Sequence, residues 1–328
     1  QRVVNATGTR LYDATSNANS SDLSLGNLVG SETLVLSGTG TLADKNVATN
    51  KIIGVGTLSL GNGGSGGLAD NYTLSGGTHL LTINQKPINT TGTRCYDATT
   101  TILSTNLSIG GLAGGESLSL TGQGAITDQN VGTGKTITLN TLTLNNGSDP
   151  THLASNYTFT GGTHTFDVTQ RAITFSGTKV YDGNTTVSSS DLTTITNLAG
   201  GETLSLTGSG SVSSANVQTG QSITNGTLAI NNGTGLASNY NLTTGTFDIT
   251  QRWVTLSGTR SYDGTTTASS SDLTISNLVS GETLSLSGSG TVASKDVGSN
   301  KSITDVSFAL ADNAGLASNY TIGTKTFN

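Results

Sequence analysis

Four aspartates recur at one phase of this sequence and are its best candidates for chemistry. Asp13, Asp97, Asp182 and Asp263 each follow a tyrosine (Tyr12, Tyr96, Tyr181, Tyr262), at spacings of 84, 85 and 81 residues. A carboxylate recurring in this way could hold calcium at the joints of an extracellular array, yet calcium takes six to eight oxygens. No Asp-x-Asp cluster accompanies the four residues. The reading therefore assigns no cofactor and keeps calcium at these aspartates as the alternative. The plainer reading is structural. The aromatic body packs on a sheet, its hydroxyl finds a partner, and the carboxylate closes a turn onto nearby backbone N–H groups.

The remaining chemical inventory is poor. Of three histidines, His79 and His164 are equivalent in phase, but Thr246, Phe247 and Lys325 stand near that place later in the chain; His152 falls in a loop. No His/Asp/Ser set recurs, and neither HExxH, CxxC nor a phosphate-cradling loop occurs. Gly-x-Gly pairs such as Gly38 and Gly40, or Gly288 and Gly290, precede strands and read as turn glycines. Cys95 is the single cysteine, and its equivalents are Leu11, Val180 and Ser261. Lys51, Lys135 and Lys301 recur as candidates for a cross-link, but Gln221 breaks the series. No enzyme is expected.

These residues are positioned by a repeat. Asn–Tyr recurs at Tyr72, Tyr157, Tyr240 and Tyr320, and a Glu followed by Thr or Ser and Leu recurs at Glu32, Glu116, Glu202 and Glu282. Three markers in one order with one period divide the chain into residues 1–84, 85–169, 170–250 and 251–328. Inside a repeat, short runs such as Val254 and Leu256, Leu273 and Ile275, or Leu284 and Leu286 alternate with polar residues. Period-two alternation punctuated by Gly, Ser and Asn predicts half-buried antiparallel strands. The fold class is all-β: four tandem small β-sandwich (Ig-like) modules in an elongated rod, with a β-grasp-like module as the alternative. A short helical turn is expected at most near Leu28, Leu198 and Leu278.

Composition agrees. There are 45 glycines, two prolines and 32 % hydrophobic residues, which favours several small cores over one large one. The net charge of -6 opposes a nucleic-acid partner. No apolar run is long enough to insert this fragment in a membrane as a helix. Only Thr250, Gln251, Arg252 and Trp253 separate the strands ending at Ile249 and starting at Val254, so the junction is no flexible tether. Trp253 is expected to pack that junction. The four glutamates are expected to pair with Arg10, Arg94, Lys179 and Arg260 of their own repeats.

The runs Arg10-Leu-Tyr-Asp13, Arg94-Cys-Tyr-Asp97, Lys179-Val-Tyr-Asp-Gly183 and Arg260-Ser-Tyr-Asp-Gly264 carry a family resemblance. With Asp44-Lys-Asn-Val47, Asp128-Gln-Asn-Val131 and the Leu-Ala-Ser/Asp-Asn-Tyr runs, they resemble the YDG repeats of very large bacterial surface proteins of the filamentous-haemagglutinin type. The resemblance covers the whole chain. It implies β-sandwich modules of a secreted adhesin at the bacterial cell surface, often exported by a two-partner route. The expected role is a stalk projecting an adhesive tip for cell adhesion, biofilm growth or host attachment. The expected partners are neighbouring repeats and other domains of the parent chain; the alternative is direct binding of a polysaccharide or a cell-surface protein. Ala14 and Ala98 replace the motif glycine in the first two repeats, which suggests a turn without a strict need for positive φ.

Overall fold

The computed structural model describes residues 1–304 and 306–328. The chain divides into two compact units, residues 1–169 and 170–328, each holding two repeats. Among the described residues every helical piece is a three-residue 3-10 turn, and all other regular structure is strand.

In the first repeat the opening strand Asn5–Leu11 lies at the middle of a four-stranded sheet. It pairs in parallel with the closing strand His79–Asn84, Ala6 facing His79 and Leu11 facing Asn84. Leu23–Gly26 flanks it on one side and Ala48–Ile52 flanks the closing strand on the other, both antiparallel. Two smaller antiparallel pairs, Asn17–Asn19 with Thr39–Thr41 and Leu34–Ser37 with Ser59–Asn62, and a short parallel pair, Arg2–Val3 with Tyr72–Thr73, complete the module. The other repeats keep this pairing: Asn89–Cys95 runs parallel to His164–Thr169, Arg171–Val180 to Thr246–Thr250, and Arg252–Gly258 to Tyr320–Phe327.

The expectation of purely antiparallel strands is thereby corrected. A parallel pair joins the two ends of each repeat, and the rest of the repeat serves as the crossover that parallel pairing demands. A β-grasp sheet shares that central parallel pair, but among the described residues no α-helix crosses it. The 3-10 turns fall at Ser20–Asp22 and Ala69–Asn71 and at their counterparts, and not near Leu28, Leu198 or Leu278.

The Gly-x-Gly reading also needs revision. Gly38 and Gly288 are turn residues with φ of 86° and 92°. Gly40 and Gly290, however, lie inside the strands Thr39–Thr41 and Ser289–Val292. A Cβ at Gly290 would sit 2.3 Å from Ile303 Cγ2, so the strand can pass over the core only without a side chain.

Alternation works as the pattern requires. In His79–Asn84, residues His79, Leu81 and Ile83 are buried while Leu80 and Thr82 are half-exposed. In the first unit Leu81 and Ile83 join Val4, Tyr12, Tyr72, Ile88 and Tyr157 in one core that crosses from one repeat into the next. The second unit likewise unites Phe175, Tyr181, Phe247, Val254 and Tyr320. Cores of neighbouring repeats within a unit are therefore continuous, and the aromatic residues of the repeat markers make them so.

Trp253 does not pack the junction: it is 69 % exposed. Its position in Arg252–Gly258 alternates with Val254, whose side chain takes the buried face, and the strand pleat sends Trp253 outward.

Candidate functional site

The tyrosine after the opening strand is placed by the parallel pair. Tyr12 N–H donates to Asn84 O at 2.9 Å, and Tyr181 N–H donates to Thr250 O at 2.9 Å. The next residue turns the chain. Asp13 Oδ1 accepts from Thr15 N and Thr15 Oγ1, each at 2.9 Å, and the same side chain pairs with Arg10. Asp97, Asp182 and Asp263 repeat this, each accepting a backbone N–H two residues on and pairing with Arg94, Lys179 or Arg260 at 3.0 to 3.2 Å. The cations expected to pair with the glutamates are thus engaged by the aspartate three residues later. The Lys179 ammonium also takes Asn184 O and Thr186 O, at 2.8 and 2.7 Å. A protein cation therefore sits among the oxygens that a calcium ion would require. Among the described residues no three His, Cys, Asp or Glu side chains gather as a metal site.

The motif position after the aspartate does adopt a positive φ. It is 65° at Ala14, 62° at Ala98, 77° at Gly183 and 74° at Gly264. The expectation drawn from the two alanines is corrected: the turn keeps its left-handed conformation and the alanines carry its strain.

The three markers meet across repeats. In the first unit Tyr12 Oη donates to Glu116 Oε1 at 2.6 Å, and Tyr157 Oη donates to Glu116 Oε2 at 2.7 Å. Lys45 adds an ion pair to the same carboxylate. The two rings meet edge to face, centroids 5.3 Å apart. Beside them Asn156, fully buried, accepts from Val47 N at 3.0 Å and donates to Asn46 Oδ1 at 3.1 Å. Tyr12, Lys45, Asn46 and Val47 come from the first repeat; Glu116, Asn156 and Tyr157 come from the second.

The second unit builds the same clamp. Tyr181 and Tyr320 donate to the two oxygens of Glu282, at 2.5 and 2.6 Å, with ring centroids 5.4 Å apart. Asn319 accepts from Val217 N and donates to Asn216 Oδ1, both at 2.9 Å. Ala215 replaces Lys45, so the ion pair is particular to the first unit.

Local structure holds the clamp residues in place. Each of these asparagines ends a 3-10 turn that its tyrosine follows, pinned where Ala154 N–H donates to Asn146 Oδ1 and Ala317 N–H to Asp312 Oδ1. Each glutamate closes a tight turn, Glu116 N–H donating to Ala113 O at 2.9 Å and Glu282 N–H to Val279 O at 3.0 Å. The later tyrosine is fixed twice, since Tyr157 Oη also accepts from Ala113 N and Tyr320 Oη from Val279 N.

Burial would raise the Glu116 carboxyl, but hydrogen bonds from Lys45, Tyr12 and Tyr157 outweigh it and hold it below the usual range. Burial and then the Glu282 hydrogen bond push the Tyr181 phenol up to about 12. Tyr12 and Tyr157 are raised for the same two reasons, burial first and Glu116 second. The clamp is thus a charged acceptor serving two neutral donors.

The remaining marker tyrosines divide by surroundings. Tyr72 donates to Glu32 Oε2 and Tyr240 to Glu202 Oε2, each at 2.5 Å, and both rings are buried. Tyr96 is fully buried, whereas Tyr262 is 62 % exposed. Cys95 is exposed at the end of its strand. His79 and His164 are rivets: Nε2 of each lies 2.8 or 2.9 Å from the carbonyl oxygen of Leu74 or Phe159. The role of Asn46, Val47, Asn216 and Val217 escapes the sequence reading. Their only signal is a recurrent Asn–Val pair, which any turn would explain.

No curated protein matches the chain. The YDG domain matches it four times, over residues 2–79, 81–165, 167–247 and 249–327, nearly its whole length. The tyrosines, glutamates and asparagines that meet in the clamp thus fall at the same phase of a repeated domain, and the chain belongs to the YDG domain family as four tandem copies.

Proposed function

We propose that these repeats are a structural spacer of a secreted bacterial surface adhesin, holding an adhesive tip away from the cell. The observation that carries this reading is the use of the shared motifs. Tyr12 with Glu116, and Tyr181 with Glu282, are spent on fastening one repeat to the next. A buried carboxylate with two phenol donors and a buried asparagine fixes position and rotation together, because each bond needs its own geometry. A spacer requires such fixed joints, since a flexible joint would let the chain coil back on itself. The proposal takes each repeat as a small Ig-like sandwich and the four as a rod. Leu34, Leu36 and Leu60 of the minor pair, packed against the core of the main sheet, support two layers.

X-ray scattering from the purified chain tests the reading. A long dimension on the order of 150 Å is expected from four units of strand length set end to end. A compact particle with no long axis would overturn it.

One observation favours the second reading, direct binding of a polysaccharide or cell-surface protein. Trp253 is 69 % exposed beside Val180, which is 53 % exposed, and an exposed indole can stack on a sugar ring. A glycan array with Trp253→Ala as control separates the two. Selective hits lost in the variant would favour binding, and an empty array would favour the spacer.

A further inference from the structure

We propose that the junction of the third and fourth repeats carries a binding site for an acidic polysaccharide, with a pyranose ring stacked on Trp253 and its carboxylate held by Arg252. The inference rests on the direct-binding reading above and deepens it, by placing one site and naming one class of sugar.

Trp253 is 69 % exposed and lines an open groove with Val180, Thr250, Gln251, Arg252, Asn277 and Thr321. The indole has a floor. Gly323 stands on the neighbouring strand, and a Cβ there would lie 3.4 Å from Trp253 Cε3, so part of the ring rests against bare backbone. A ring supported from below offers its upper face to a ligand. One asparagine fixes ring and cation together. Asn277 Nδ2 donates to Trp253 O at 2.6 Å, while Arg252 donates from Nε to Asn277 O and from Nη2 to Asn277 Oδ1, at 2.7 and 2.8 Å. A following repeat does not cover this face: Ala172, at the same phase of the third repeat, is exposed with the fourth repeat in place. Val3 and Pro87 hold that phase in the first two repeats, so the indole is no part of the packing common to all four.

Charge selects the sugar. Among the described residues no carboxylate lines the groove, although the chain as a whole carries a net charge of -6. Asp182 and Asp248, each two residues from the groove along the chain, are engaged by Lys179 and by Gly220 N–H. Arg252 spends its bonds on neutral acceptors, Asn277 and Tyr181 O, which leaves a donor on each terminal nitrogen. Lys325 Nζ likewise rests on a neutral oxygen, that of Gly323 under the indole, at 3.1 Å. Two cations without a carboxylate partner favour an anionic ligand, and a guanidinium takes a carboxylate through paired N–H donors. The apolar ring favours the C–H face of a pyranose, and Thr250, Gln251 and Thr321 supply hydroxyl and amide groups for the sugar hydroxyls.

Trp253 is the only tryptophan, so its fluorescence reads the site in the intact chain. Short oligomers of galacturonate, mannuronate and glucuronate are titrated beside their methyl esters, which keep the ring and lose the charge. Tricarballylate, which has carboxylates and no ring, is the third probe. At least one uronate series should change the emission saturably, and its ester and tricarballylate should bind at least about tenfold more weakly. Raising salt from about 0.02 to 0.5 M should weaken the uronate several-fold. Trp253→Ala, followed by calorimetry, should also lose at least about tenfold in affinity. The replaced side chain is exposed, so the fold should survive, and circular dichroism checks that it does. A uronate that binds Trp253→Ala as well as the wild type overturns the site. Equal binding of tricarballylate overturns the sugar. Equal binding of the esters overturns the acidic class and leaves direct binding at Trp253 standing. If no sugar of either kind changes the emission, this proposal and the direct-binding reading of Trp253 fall together.

Discussion

Replacing Glu116 by alanine should uncouple the first repeat from the second. The carboxylate accepts hydrogen bonds from two phenols that are 0 % and 2 % exposed, so truncation strands both hydroxyls away from water. Hydrogen bonds to a buried charged acceptor contribute about 1.5–3 kcal/mol each, giving a loss of about 3–6 kcal/mol. The side chain of Lys45 is 24 % exposed and can turn to solvent, so its ion pair adds little. A module of this size has a stability on the order of 4–12 kcal/mol, so the loss is a large fraction of it. Glu116→Gln keeps one acceptor and should cost about half as much. Urea unfolding of the full chain should show an early transition for the first unit, with the second unit unchanged. A double-mutant cycle between Tyr12→Phe and Glu116→Gln should give clear coupling. The reasoning is refuted if Glu116→Ala costs under about 1 kcal/mol, or if the cycle shows no coupling.

Three further outcomes follow from the same geometry. Stability should fall at both ends of the pH scale. Glu116, held low in the fold, stabilises above about pH 4.3, and that contribution is lost as acid protonates it; Tyr181, raised to about 12, does the reverse, its contribution being complete below about pH 10 and lost as pH rises toward 12. Urea midpoints against pH should show both limbs, and Tyr181→Phe should flatten the alkaline one. Asn319→Ala leaves the Val217 N–H without its acceptor at a buried joint and should cost about 1–3 kcal/mol by chemical denaturation, while Asn71→Ala, at an exposed site, should cost nothing measurable. Ala14→Gly relieves a left-handed alanine worth about 1–2 kcal/mol of strain and should raise the melting temperature, less the entropy that glycine adds to the unfolded chain.

The repeat and its strands were legible because period and alternation are written into residue type. Leu284 with Leu286 and Val254 with Leu256 mark their strands plainly. Strands such as Thr39–Thr41 and Thr267–Ser269 carry almost no apolar signal, since glycine and small residues let them pass close over the core. The parallel pairing was illegible because it joins residues about 70 apart, and alternation is the same in either direction. The clamp was half legible. Tyr12, Glu116 and Tyr157 stood out by recurrence, but recurrence does not say that the tyrosine of one repeat meets the glutamate of the next. Local pairing of Glu with Arg10 or Arg94 was the natural guess, and the aspartate three residues on reaches those cations first.

The parallel pairing of first and last strands has a mechanical side. A pull on the two ends of the first repeat draws Asn5–Leu11 and His79–Asn84 in opposite directions along their length. Six facing residue pairs are then loaded together in shear, where an antiparallel pair with its ends at one edge would peel open bond by bond. Asn84 leads through Gln85 into the opening strands of the next repeat, so tension passes from one sheet to the next without first stretching a loop. Rupture under load is set by the unfolding barrier and not by equilibrium stability. A module of modest stability can therefore bear sustained traction.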